Sequence, residues 1–222
     1  MRLGDKTLSR RGAAWWRKAI TRPGAFRVLL VIDLFLLADA VGVLAFSRTP
    51  APVNTGQISA LGHGGPDSIQ PPPVRLDVPT INVHSNLVDL ALNADGSLDV
   101  PRDFGVAGWF ARGVAPGGNG NAVIVGHVDS TRKAAVFYGL RTLKPGASID
   151  VARLDGSSVT FVVDAVHQYA KDAFPTDLVY RSTGKPQLRL VTCGGRFDAR
   201  HHRYADNIIA FAHLAADPVK SA

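Results

Sequence analysis

From Val74 to Ala212 the chain is a succession of short apolar runs separated by turn signals, and that spacing limits the folds open to it. The runs are Val74–Val78, Ile81–His84, Leu87–Leu92, Ser97–Val100, Val106–Phe110, Ala122–His127, Ser148–Ala152, Val159–Val166, Leu188–Cys193 and Asn207–Ala212. Asp95-Gly96 and Asp155-Gly156 are turn dipeptides of the kind found in hairpins. Lys133–Leu143 and Asp172–Tyr180 read as the helical exceptions, both short. All 18 acidic residues are Asp, with no Glu, which weakly favours strands because Asp is a poor helix former. The expectation is a mostly all-β fold of about eight strands closed, or nearly closed, into a barrel with short helices. No internal repeat is visible.

The net charge of +7 resides in the first 27 residues, where Arg2, Lys6, Arg10, Arg11, Arg17, Lys18, Arg22 and Arg27 face only Asp5. The remainder is balanced, so the overall charge gives no support for nucleic-acid binding. Residues 28–46 follow as an apolar stretch interrupted by Asp33 and Asp39. Its Leu, Ile, Val and Phe favour insertion by roughly 4–8 kcal/mol, and two Asp at up to about 3.5 kcal/mol each nearly cancel that. A single membrane span, N-terminus in the cytoplasm, is the expectation. The rival is a cleaved signal peptide with Ala38-Asp39-Ala40 as its processing site. Residues 47–73, ending in Pro71-Pro72-Pro73, read as a linker, 74–214 as the folded domain and 215–222 as a tail.

Two apolar strands each end at one reactive side chain. Leu188–Thr192 leads to Cys193, the only cysteine, with Gly194-Gly195 expected to form a turn after it. Ala122–Gly126 leads to His127. A thiolate is the effective nucleophile, and an imidazole can take its proton and later protonate a leaving amine. Read singly, Cys193 is also a candidate small buried hydrophobe and His127 a hydrogen-bonded structural histidine. Attack on a carbonyl calls for an oxyanion donor, for which Arg203, Arg196 and Arg200 are candidates that spacing does not separate. His127, Cys193, His201 and His202 are zinc-type ligands but lack the spacing of a metal site, so neither a metal nor another cofactor is expected.

Gly126-His127-Val128-Asp129-Ser130, Leu190-Val191-Thr192-Cys193-Gly194-Gly195 and Tyr204-Ala205-Asp206-Asn207-Ile208-Ile209 together resemble the sortase family, within it the class F type of high-GC Gram-positive bacteria. Leu76-Asp77-Val78-Pro79, Leu98-Asp99-Val100-Pro101, Gly108-Trp109-Phe110 and Phe174-Pro175-Thr176 fit the same pattern, and the resemblance runs over roughly residues 74–214. It implies an eight-stranded barrel behind an N-terminal membrane-anchor helix, with the catalytic domain outside the cell. It implies a cysteine transpeptidase that cleaves Leu-Pro-x-Thr-Gly-like sorting signals between Thr and Gly through a thioester. The protein so cleaved passes to a cell-wall precursor amine. Carried over, Cys193 is the nucleophile, His127 the general acid and Arg203 the candidate for the family's arginine on the strand after the cysteine. Two other readings stand beside it. One is a non-catalytic surface binding domain on the same barrel. The other is a cysteine L,D-transpeptidase, whose Ser-His-Gly-Cys pattern this chain lacks.

Overall fold

The computed structural model describes residues 70–216, so the basic segment, the apolar stretch, nearly all of the linker and most of the tail lie outside the described residues. The strands are β1 (Pro73–Val78), β2 (Val83–Leu90), β3 (Ala107–Phe110), β4 (Gly120–Val125), β5 (Ser148–Arg153), β6 (Ser158–Ala170), β7 (Pro186–Asp198) and β8 (Arg203–Leu214). They close a barrel in the order β1-β2-β3-β4-β7-β8-β6-β5, and β5 pairs back onto β1. The expected eight-stranded barrel is what forms. Among the described residues the one α-helix is α1 (Thr176–Tyr180), joined by single 3₁₀ turns at Pro79–Ile81, Leu140–Thr142 and Lys171–Ala173.

Two of the pairings, β2 with β3 and β4 with β7, are parallel. Parallel neighbours need long crossovers, and these lay loops over the outside of the barrel. The result is two apolar clusters. Leu76, Ile124, Phe137, Phe161, Leu188 and Leu190 belong to one, inside the barrel. Leu90, Leu98, Val123, Val125, Val179, Val191 and Ile209 belong to the other, under the loops. Strand β4 is sandwiched between them: Ala122 and Ile124 face one cluster, Val123 and Val125 the other. That is why its sequence is an unbroken apolar run rather than an alternating one.

Polar groups tie the β6–β7 crossover to this wall. Asn121 Nδ2 lies 3.2, 3.1 and 2.9 Å from the carbonyls of Leu178, Val179 and Arg181. Arg189 Nε donates to Leu178 O at 3.1 Å, and its guanidinium lies 4.7 Å from the centre of the Phe211 ring. Burial pulls the Arg189 guanidinium down to about 10. A short helix with no capping side chain is thereby held by partners on β4 and β7.

The structure departs from the sequence reading in three places. Ile81–His84 and Leu87–Leu92 are not two strands: Pro79–Ile81 forms a 3₁₀ turn, Asn82 is left-handed at φ 54°, and β2 is one strand from Val83. Ser97–Val100 contributes only a single bridge, Leu98 to Leu92. Lys133–Leu143 is not a helix beyond the turn at Leu140. Two of its amides are taken by the loop after β4, Ala135 N–H donating to Val128 O at 3.1 Å and Phe137 N–H to His127 O at 2.9 Å, and Val136 N–H donates to Phe104 O at 2.9 Å.

Candidate active site

The strand carrying Cys193 does not end there, contrary to the sequence expectation. β7 continues five residues further, and Gly194-Gly195 is not a turn but part of the strand. The hairpin with β8 holds it: Phe197 pairs with Tyr204 and Asp198 with Arg203, after a register shift beyond Gly194. That irregularity requires glycine at 195, where φ is +75° and a Cβ would sit 2.0 Å from the Asp206 carboxylate.

What ends at this level is β4. Its last residue, Val125, pairs with Val191; Gly126 N–H then donates to Val191 O at 3.1 Å, and Thr192 Oγ1 donates to Gly126 O at 2.7 Å. His127 and Cys193 come next on the two chains, and Cys193 packs against the outer cluster that holds Val125 and Val191. The topology thus brings the thiol and the imidazole to neighbouring chain positions on one wall. Thr192, pointing its hydroxyl across, clamps the two chains at that point.

His127 is buried, 6% exposed, beneath the β2–β3 crossover. Its ring lies 4.3 Å, centre to centre, from that of Phe104, and Nε2 is 2.7 Å from Pro101 O. A carbonyl only accepts, so Nε2 carries hydrogen and proton exchange with a substrate falls to Nδ1. Cys193 is partly buried and opens onto a cleft of about 450 Å³ shared with Asp129, Tyr138, Arg141, Gln168 and Tyr204. Burial pushes the Cys193 thiol up, Lys171 opposes this by charge and a hydrogen bond, and Asp129 adds to the rise. The Tyr204 hydroxyl donates to Asp129, and burial together with that carboxylate raises the phenol to about 12. Among the described residues no cluster of ligands for a metal ion is present.

Arg203 opens β8, as expected for the strand after the cysteine, but its partner is Asp198; opposite Cys193 stands Asn207. Four residues of strand separate Arg203 from that level, about 13 Å. Arg203 does not line the cleft; the arginine that does is Arg141, on the 3₁₀ turn at Leu140. Arg196 and Arg200 do not line it either. Arg141, Lys171, Asp129 and Tyr204 as neighbours of the thiol were not singled out from the sequence. Of these, Asp129 carried a signal in the Gly-His-x-Asp run and Tyr204 in the motif that it opens, Tyr204–Ile209.

A family model described as the Sortase domain matches residues 76–215. Among solved structures the chain is similar to sortase A from Corynebacterium diphtheriae, with a TM-score of 0.52 and 21% identity over 68% of this chain and 65% of that one. It is also similar to a pilus-related sortase C of Group B Streptococcus, TM-score 0.51 and 18% identity over 75% and 79% of the two chains. The chain thus spans slightly under two thirds of the Corynebacterium protein's length. At these identities the likeness is one of fold. The search of curated proteins found no sequence that matches it.

Proposed function

This chain belongs to the sortase family, and from that premise we propose that it is a cysteine transpeptidase of the class F type, acting on sorting signals of the Leu-Pro-x-Thr-Gly kind. The observation that supports the reading is the parallel β4·β7 register, which runs to Val125 and Val191, each two residues before His127 and Cys193 on its own chain. In the first half-reaction the Cys193 thiolate adds to the threonyl carbonyl. The tetrahedral intermediate then expels the glycine amine, which takes a proton from His127, and the threonyl group remains as a thioester. In the second, an amine of the cell-wall precursor attacks the thioester, its surplus proton passes to His127, and the Cys193 thiolate is released, which restores the starting protonation state. The N-terminal basic and apolar segments are proposed to anchor the chain in the membrane, with the barrel outside.

The test is intact-mass spectrometry of the full chain after incubation with a panel of sorting peptides. The expected product is an adduct on Cys193 equal to the peptide truncated after threonine, discharged by added amine. Binding with no adduct from any peptide, in protein whose thiol still alkylates, would favour a non-catalytic binding domain instead.

The arginines divide by position. Arg203, at the far end of the β7–β8 ribbon, is proposed to hold the substrate's main chain away from the reacting carbonyl, and Arg141 to meet the oxyanion. Steady-state kinetics should therefore show a several-fold higher KM for Arg203→Ala with kcat little altered. Arg141→Ala should lose about 10²–10³-fold in kcat, the usual cost of removing one oxyanion donor. An unchanged kcat in both variants would give that role to backbone amides at Gly194-Gly195.

A further inference from the structure

A nucleophilic thiolate in a partly buried site needs a positive neighbour, and β8 does not supply it. Opposite Cys193 on that strand is Asn207, and the next residue on the same face is Ala205; neither carries charge. His127 arrives from the other side, with Nε2 committed to Pro101 O. Beyond β8 comes β6, where Tyr169 pairs with Asn207 and Ala170 with Asp206. A row Tyr169–Asn207–Cys193 therefore crosses three strands at one level, and both Tyr169 and Cys193 pack on the outer cluster. Lys171 is the next residue of the chain, opening the 3₁₀ turn Lys171–Ala173, and its ammonium opposes the rise of the Cys193 thiol. Two interstrand steps of about 4.8 Å separate β6 from β7, a gap that an extended lysine stem and one hydrogen-bond length together cover.

We propose that the Lys171 ammonium is the counter-ion of the Cys193 thiolate, supplied by the end of β6 because β8 offers no cation beside the sulfur. The proposal rests on the reading of Cys193 as the nucleophile. Lys171 stabilises the attacking form before substrate arrives, whereas Arg141 and Arg203 act only once substrate is in the cleft. The other charged and titratable groups around the sulfur are His127 on the chain leaving β4, Asp129 in the loop after it, Tyr204 on β8 and Tyr138 and Arg141 on the segment between β4 and β5. Of these, Asp129 works against the thiolate, and burial does the same. Lys171 is the group that opposes both.

The experiment is the pH profile of iodoacetamide alkylation, read by mass on the full chain; with one cysteine the signal belongs to Cys193 alone. Lys171→Gln and Lys171→Met should both move the inflection upward by about one pH unit or more, with alkylation near neutrality slowed roughly tenfold. Lys171→Arg, keeping the charge, should stay near the parent. Lys185→Gln is the control for net charge, since Lys185 adjoins the start of β7, away from Cys193. Superposed profiles for the parent and both uncharged variants would overturn the proposal, as would an equal shift in Lys185→Gln. Alkylation uses no sorting peptide, so the counter-ion and the transpeptidase reading can fail independently. A shifted profile in a protein that forms no adduct retains the first and removes the second.

Discussion

Cys193→Ala is expected to abolish both adduct formation and peptide cleavage, measured by intact mass and by release of the glycine fragment. The chain has no second thiol to take over. Removing the nucleophile from an acyl-transfer enzyme costs on the order of 10⁶-fold, because the residual rate comes only from binding and the oxyanion site. The loss cannot be put down to unfolding: Cys193 is only partly buried at the edge of the outer cluster, and alanine keeps its Cβ. Circular dichroism and thermal melting should stay close to the parent. Peptide binding measured by titration calorimetry should persist in this variant, since the cleft walls are intact. Residual cleavage within a hundredfold of the parent would place the chemistry elsewhere.

The second large effect is expected at His127. His127→Ala should lower turnover by about 10²–10⁴-fold, the usual worth of general acid–base catalysis, with thiol labelling still complete. An amine leaves poorly unless it is protonated as the bond breaks, so the defect belongs to the acylation step. Substrates with a better leaving group test this directly. A peptide whose scissile bond is an activated ester needs no proton on departure, and the variant should acylate with it at nearly the parent rate. The control is His127→Gln, which keeps an N–H able to reach toward Pro101 O but cannot cycle a proton; it should match alanine in turnover and exceed it in stability. Equal impairment with amide and ester would show that His127 only props up the β2–β3 crossover through Pro101 and Phe104.

The parts of the fold that were legible in the sequence are those with apolar pattern. β4 and the Leu188–Thr192 part of β7 are buried on both faces, and their apolar runs, broken in β7 only by Arg189, announced strands. The second half of β7 has no such pattern. Gly194 to Asp198 and Arg203 to Asp206 are mostly polar, glycine or exposed, and what keeps them extended is the hairpin ladder between them. A ladder is a property of two segments together, and a one-strand reading ends where hydrophobicity ends. The same limit explains Lys133–Leu143, whose composition suits a helix but whose Ala135, Val136 and Phe137 amides are drawn off by other loops. For the site, Cys193 and His127 stood out because each closes an apolar run. Lys171 could not, because it reaches the sulfur only through the spatial order β6-β8-β7, which chain order does not display. Arg141 sits far from both in sequence and enters the cleft on a 3₁₀ turn that carries no signature of its own.

The burial that raises the Cys193 thiol also governs how the protein ages. Peroxides, like electrophilic carbonyls, react with the thiolate, so burial slows oxidation of this sulfur and Lys171 works in the other direction. A sulfenic acid formed at Cys193 has no resolving thiol in the same chain, since there is no other cysteine. Rescue then depends on a small external thiol entering the cleft before a second oxidation makes the damage permanent. On the reading of Cys193 as the nucleophile, substrate and oxidant compete for one sulfur, so the thioester form is shielded and the idle form is the one that is lost.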